Sequence, residues 1–176
     1  MALDYPDLVG PDGTEVNMGG TSQTCYFARV DEINTYSAPA AAPANQYVMT
    51  TAFAMKTGKK FHKGYITQDT GELEFGDNGE IDGKSYKAIF KFFYPGFGDD
   101  ALQLANDIKN DKLIFIVELP DGKLIQLGSA RFFCSVKGNF KTTTTSGRGR
   151  GFEFEVQCFV PYIYRYAAAV PLTAAP

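Results

Sequence analysis

The sequence predicts a mainly β fold, a β-sandwich or β-barrel with one α-helix packed on its side. Three observations carry that expectation. Several segments alternate apolar and polar residues with the period of two that a half-buried strand requires. The aromatic content is 14%, made of 15 Phe and 10 Tyr without Trp, and those side chains favour strands. One segment alone, near residue 100, repeats its apolar residues at helical spacing. A chain of 176 residues with 44% hydrophobic content suffices for a single core. The expected organisation is an arm over 1–22, one β domain over 23–166 and a tail over 167–176.

The elements follow in order. Residues 1–22 are rich in Gly, Pro, Asp and Asn and read as an arm. QTCYFARV, 23–30, is the first strand. Residues 37–45 form an Ala/Pro loop in which Pro39 and Pro43 forbid a helix. YVMTTAFAM, 47–55, is a second strand, followed by a basic turn over 56–63. Residues 64–68 and 71–75 read as one strand bent around Asp69 and Thr70. After a turn-rich stretch, 76–83, comes the clearest strand of the first half, 84–94. Tyr86, Ala88, Phe90, Phe92 and Tyr94 there alternate with Lys87, Ile89, Lys91 and Phe93.

PGFG, 95–98, is a turn. The helix spans 99–110, with Ala101, Leu104, Ala105 and Ile108 on one face and Leu102 on its flank. Asp99 and Asp100 stand where they can cap it and complement its dipole. KLIFIVEL, 112–119, is apolar on both faces and so belongs in the middle of a sheet. Pro120-Asp121-Gly122 is a hairpin turn, and 123–137 returns as a strand breakable at Gly128. A Thr/Ser/Gly loop, 142–151, leads to the last strand, 152–166. Phe152, Phe154, Val156, Cys158 and Val160 face its core side, and Glu153, Glu155 and Gln157 its polar side.

Charge and cysteine usage narrow the function. The net charge is −3, from 17 basic and 20 acidic side chains, whereas a general nucleic-acid binder is normally basic. Cys25, Cys134 and Cys158 lie in strand-like runs without the spacing of a zinc site, so they are expected to be buried thiols. The first residues, MALDYPDLVG, lack the basic and apolar regions of a secretory signal, and no apolar run is long enough to span a bilayer. A soluble, reducing compartment is expected.

Catalytic and ligand motifs come only as near misses, so no catalytic residue, metal or cofactor is expected. His62, the sole histidine, lies between Lys60 and Lys63 with no acidic residue close in sequence, and reads as a solvated turn residue. NGEIDGKS, 78–85, approaches a phosphate loop, but Asn78 replaces the first glycine and a strand follows. Asp77, Asn78, Glu80 and Asp82 lack the full ligand set of a calcium loop. Lys56, Lys59, Lys60 and Lys63, with Phe61 and Tyr65, form a basic and aromatic cluster, and Arg148 and Arg150 a second. Such clusters suit single-stranded nucleic acid, but lysines also guard strand edges. Glu72 with Glu74, and Glu153 with Glu155, share a strand face at i, i+2, which is wrong for a pair flanking a scissile bond.

The order of parts resembles the phage tail tube proteins, a group similar to the inner-tube proteins of contractile injection systems. The resemblance rests on the arm, the central strands with a long turn over 47–75, the helix over 99–110, the hairpin over 112–137, and GRGRGFEFEV. It implies a structural virion protein rather than an enzyme. Its subunits would form rings, hexameric in the family, whose strands join into an inner β-barrel, and the rings would stack into a tube that passes DNA without binding it. It also implies partners among other tail proteins, assembly in the host cytoplasm and residence in the virion tail. Glu153 and Glu155, then Glu72 and Glu74, are the candidate lumen residues, because carboxylates repel DNA phosphates. The turn with Lys56, Lys59, Lys60 and Lys63 is the candidate inter-ring surface, and 1–22, 37–45 and 167–176 are candidate subunit contacts. Alternatives are another virion component (a capsid decoration, connector or tail terminator) and an OB-like single-stranded nucleic-acid-binding protein. A hydrolase or isomerase ranks last for want of residues.

Overall fold

The computed structural model describes residues 8, 10, 12–14, 16–41, 45–142 and 149–176. Strands hold 47% of the described residues and helical turns 10%, so the fold is mainly β with a single α-helix among them. The strands are β1 (Thr24–Arg29), β2 (Ile33–Thr35), β3 (Ala38–Pro39), β4 (Val48–Thr51), β5 (Ala54–Met55), β6 (His62–Tyr65), β7 (Glu72–Asn78) and β8 (Ser85–Pro95). The helix α1 (Asp99–Asp107) follows, then β9 (Leu113–Glu118), β10 (Leu124–Leu127), β11 (Ser135–Thr142), β12 (Arg150–Val160) and β13 (Tyr164–Tyr166). They form a seven-stranded sheet, β3-β4-β13-β10-β9-β1-β6, a four-stranded sheet, β11-β12-β8-β7, and a small β2-β5 pair.

The apolar faces explain the layering. β9 is buried along both sides, as its sequence requires. Leu113, Phe115 and Val117 join Phe90, Phe154, Val156 and the helix residues Ala101 and Ile108 in the core between the two main sheets. Ile114 and Ile116 enter a second core on the opposite side with Met49, Phe53, Phe61 and Tyr166. Leu104 and Ala105 also pack on the first core, so the expected helix face is the one buried. Gly98 rather than Asp99 occupies the cap position, with no side-chain cap bond, and a 3₁₀ turn, Ile108–Asn110, completes the expected helical span.

Three predicted strands are each split between the two main sheets. The 64–75 strand is β6 on one sheet and β7 on the other, with Asp69 at φ 59 in the crossing. The 123–137 strand breaks at Gly128, where φ is 93 and an added Cβ would lie 2.9 Å from Ile114 Cδ1. Its second half is β11, which runs on to Thr142. The 152–166 strand ends at Val160, and 164–166 crosses to the larger sheet as β13. Alternation cannot reveal these crossings, because both sheets bury alternate residues against the same core. The 47–55 strand likewise divides into β4 and β5.

Residues 167–176, a candidate subunit contact, pack on the chain's own body. Ala168, Val170 and Ala175 lie against the second core. Phe61 N–H donates to the Pro171 carbonyl at 2.9 Å, and Gly58 N–H to the Ala175 carbonyl at 2.8 Å. The Tyr166 hydroxyl donates to the Ala169 carbonyl at 2.9 Å and accepts from Phe53 N–H at 3.3 Å. Small residues suffice because the large ring of Phe61 supplies the surface they cover. Parts of the 1–22 arm, of the 37–45 loop and of the 142–151 loop, including Arg148, lie outside the described residues.

Removing residues 170–176 breaks the bonds of Phe61 N–H to Pro171 and of Gly58 N–H to Ala175 and strips Val170 and Ala175 from the second core. The truncated chain should lose about 2–4 kcal/mol of unfolding free energy in a urea titration. An unchanged midpoint would show that the tail contributes nothing to the fold.

Candidate functional site

The outer face of the four-stranded sheet gathers the residues that the sequence set apart. The β12–β8 register pairs Glu155 with Lys91 and Gln157 with Ile89. The β7–β8 register pairs Glu72 with Lys91 and Glu74 with Ile89. Glu72, Glu74, Glu153 and Glu155 therefore share one sheet face, opposite the face that carries Phe90, Phe92, Phe154 and Val156 into the core. Sequence spacing put each pair on one strand face. The antiparallel register brings the two pairs together across β8.

The same register adds what the sequence reading missed. Lys137 lies opposite Glu155, and Lys87, Lys91 and Lys141 occupy the same face. One row across the sheet reads Lys137, Glu155, Lys91, Glu72, with alternating sign at every step. Lys141 Nζ forms an ion pair with Glu153, and Gln157 Nε2 donates to Glu155 Oε1. The face is charge-balanced rather than acidic, which corrects the expected acidic surface. Alternation within one strand shows only that strand's charges; the compensating lysines come from its neighbours.

Phe93 is an apolar member of this face, with Ile89 and Phe159, and is nonetheless 3% exposed. Its ring lies over Gly151, where an added Cβ would fall 2.5 Å from Phe93 Cζ. The missing side chain at Gly151 thus seats Phe93 on the sheet.

Among the described residues no further strand pairs with either edge of this sheet, β7 on one side and β11, beside which the 108–110 turn packs, on the other. Phe93 N–H and C=O bond toward the β7 side, to Thr70 Oγ1 and Thr67 N–H. By the alternation of antiparallel ladders, Leu73, Phe75 and Asp77 then aim their backbone groups outward from β7. On β11, Cys134 N–H and C=O bond to Leu113, away from β12. Val136, Gly138, Phe140 and Thr142 therefore face outward in the same way.

The basic cluster is taken apart. Phe61 is 1% exposed, so it is no platform for a base. Lys59 Nζ pairs with Glu32 at 3.0 Å, and Lys56 Nζ donates to the Asp31 carbonyl at 2.6 Å. His62 and Lys63 belong to strand β6 rather than to a turn, and the His62 ring stacks on Phe27 at 5.7 Å. Tyr65 remains exposed. Residues 78–85 close the β7–β8 hairpin, with Gly79 and Asp82 at positive φ and Lys84 pairing with Asp77 at 3.7 Å. That geometry is a hairpin turn, as expected, and not a phosphate cradle.

A cleft of 440 Å³ lies beside α1, lined by Phe27, Arg29, Glu32, His62, Asp107 and Asp111 among others. No sequence motif announces it, because its residues come from separate elements. Arg29 pairs with Asp31 at 3.2 Å and Asp111 at 3.4 Å, so its charge is met within the chain. Among the described residues, no group of three His, Cys, Asp or Glu side chains could hold a metal ion, and no helix is long and apolar enough to cross a membrane.

No family model, curated protein or solved structure matches the chain.

The charge row is testable by itself. Glu155→Lys sets three lysines side by side. It should cost about 1 kcal/mol at low salt, with part recovered at high salt, whereas Glu155→Gln should cost less. Urea midpoints at two ionic strengths would check this. Equal losses for both variants, independent of salt, would remove the row as an electrostatic unit.

Proposed function

We propose that this chain is a structural ring-forming subunit, a tail tube protein of a virion. The observation that supports this best is the four-stranded sheet with two open edges and a charge-balanced outer face. Its strands alternate in direction, so β7 and β11 at the two edges run antiparallel to each other. Rotating a copy about an axis along the strands brings β11 of one subunit beside β7 of the next. The pair is antiparallel, and each new edge is again open. Such a head-to-tail contact continues until the ring closes. Six copies would make a barrel of about 24 strands, wide enough for an aqueous bore.

The outer face then becomes the bore. Glu72, Glu74, Glu153 and Glu155 line it together with Lys87, Lys91, Lys137 and Lys141. A lining of alternating charge offers a polyanion no continuous attractive stripe, so DNA passes without being held. Long unprotected edges are a liability in a monomer, and closure into a barrel removes them. The arm supports the same reading. Leu8, Val16 and Met18 are 97%, 56% and 66% exposed, so a neighbouring subunit is their natural cover. Contacts of 56–63 with the next ring, and of the assembled tube with other tail proteins, belong to this proposal.

Negative-stain microscopy at rising protein concentration tests it. Rings with a central hole, stacking into tubes, are expected. A chain that stays monomeric at high concentration contradicts the reading. Thr142→Pro gives a sharper test. It removes an outward-facing N–H from edge strand β11, where proline is tolerated. The variant should keep its circular dichroism spectrum and form no rings. Rings identical to those of the unsubstituted chain would exclude β11 from the contact.

A further inference from the structure

Cys134 and Cys158 face each other at the seam between the two main sheets. The β11–β12 register pairs Ser135 with Gln157. One step back along β11 and one step forward along β12 sets Cys134 against Cys158. Cys134 N–H donates to the Leu113 carbonyl at 2.8 Å, and its carbonyl accepts from Leu113 N–H at 3.1 Å. In an antiparallel ladder both backbone groups of a residue face the same neighbour. Cys134 therefore makes a non-hydrogen-bonded pair with Cys158, the closer kind, with Cα atoms about 4.5 Å apart. A disulfide spans Cα separations of roughly 4.4–6.8 Å, so the pair fits at the short end.

Both side chains point into the same core, with Val136 and Val156 beside them, and are 0% and 2% exposed. Cys134 Sγ contacts the Leu127 carbonyl at 3.4 Å and Cys158 Sγ the Phe132 carbonyl at 3.6 Å, so the 128–134 crossing wraps both sulfurs. Burial holds the Cys134 thiol well above its ordinary range, and the Cys158 sulfur adds to the rise. Cys25 sits elsewhere, on β1 opposite Gly64 and Val117, and burial pushes its thiol up to about 12.

We propose that Cys134 and Cys158 form a disulfide when the folding chain meets a small-molecule disulfide, and that the bond staples the 128–134 crossing to β12. The thiolate of one cysteine attacks a sulfur of glutathione disulfide. That S–S bond breaks and one glutathione leaves as thiolate. The second cysteine thiolate attacks the protein sulfur of the mixed disulfide and releases the other glutathione. Two electrons and the two thiol protons end on two reduced glutathiones. In the finished fold both thiols are buried out of reach of glutathione, so exchange belongs to the folding chain, and the closed bond is shielded afterwards. A reducing cytosol keeps the pair as thiols; an oxidising medium closes it. The inference rests on register and burial, and not on the assembly reading.

The test is refolding from denaturant in a buffer of reduced and oxidised glutathione, followed by alkylation under denaturing conditions without reductant. The unsubstituted chain should show one free thiol and a cross-linked peptide pair containing Cys134 and Cys158. Cys25→Ala should keep that cross-link and show no free thiol. Cys134→Ala and Cys158→Ala should lose it and show two. The oxidised chain should melt several degrees above the reduced chain. Three free thiols in the unsubstituted chain, or a bond mapped to Cys25, would overturn the pairing. An equal or lower melting temperature of the oxidised chain would overturn the stapling role.

Discussion

Strand β9 is apolar on both faces, and that one constraint organises the molecule. A strand buried on both sides needs a layer above and a layer below. On one side Leu113, Phe115 and Val117 meet the four-stranded sheet and α1. On the other, Ile114 and Ile116 demand cover that a single further sheet does not supply. The cover is assembled from β4, the small β2-β5 pair, Phe61 and the C-terminal tail. The tail's Ala168, Val170 and Ala175 stay partly exposed and pack against this second core. The outer face of the four-stranded sheet is free for other uses because β9 anchors its inner face.

Much of this was legible in the chain, and the failures share a cause. The helix at 99–110, the central strand at 112–119, the break at Gly128 and the PDG hairpin each leave a local signal that the structure reproduces. The bend at Asp69 and Thr70 was legible too, but that it and the break at Gly128 carry the chain to the other sheet was not, and the crossing at 161–163 left no signal. Alternation records which side of a strand is buried, and both sheets bury their sides in one shared core. The tail's packing left no local signal for a related reason. Composition judges a segment by its own side chains, whereas burial depends on the partner, here Phe61 and Phe53.

The candidate face shows the same division between local and non-local information. Glu153 and Glu155 were visible as a pair, as were Glu72 and Glu74. Their meeting across β8, and their neutralisation by Lys91, Lys137 and Lys141, exist only once the register is set. What had read as a repulsive acidic strip is a chequered surface. For a conduit the chequered surface serves as well: it denies a polyanion both a sticky stripe and a steep barrier. The basic turn moved in the opposite direction. Its aromatic partner Phe61 is buried and Lys59 is held by Glu32, so its apparent nucleic-acid chemistry dissolves into the chain's own packing.

Everything in the assembly account depends on the two open edges joining. Hydrogen–deuterium exchange on the outward amides of Leu73, Phe75, Val136, Gly138 and Phe140 measures that directly. In dilute protein these amides should exchange fast, while those of Lys91 and Glu155 inside the ladder are protected. At concentrations where rings form, the outward amides on both edges should become protected together. Rings in which they continue to exchange at the dilute rate would contradict the account, because the subunits would then be held by some other surface.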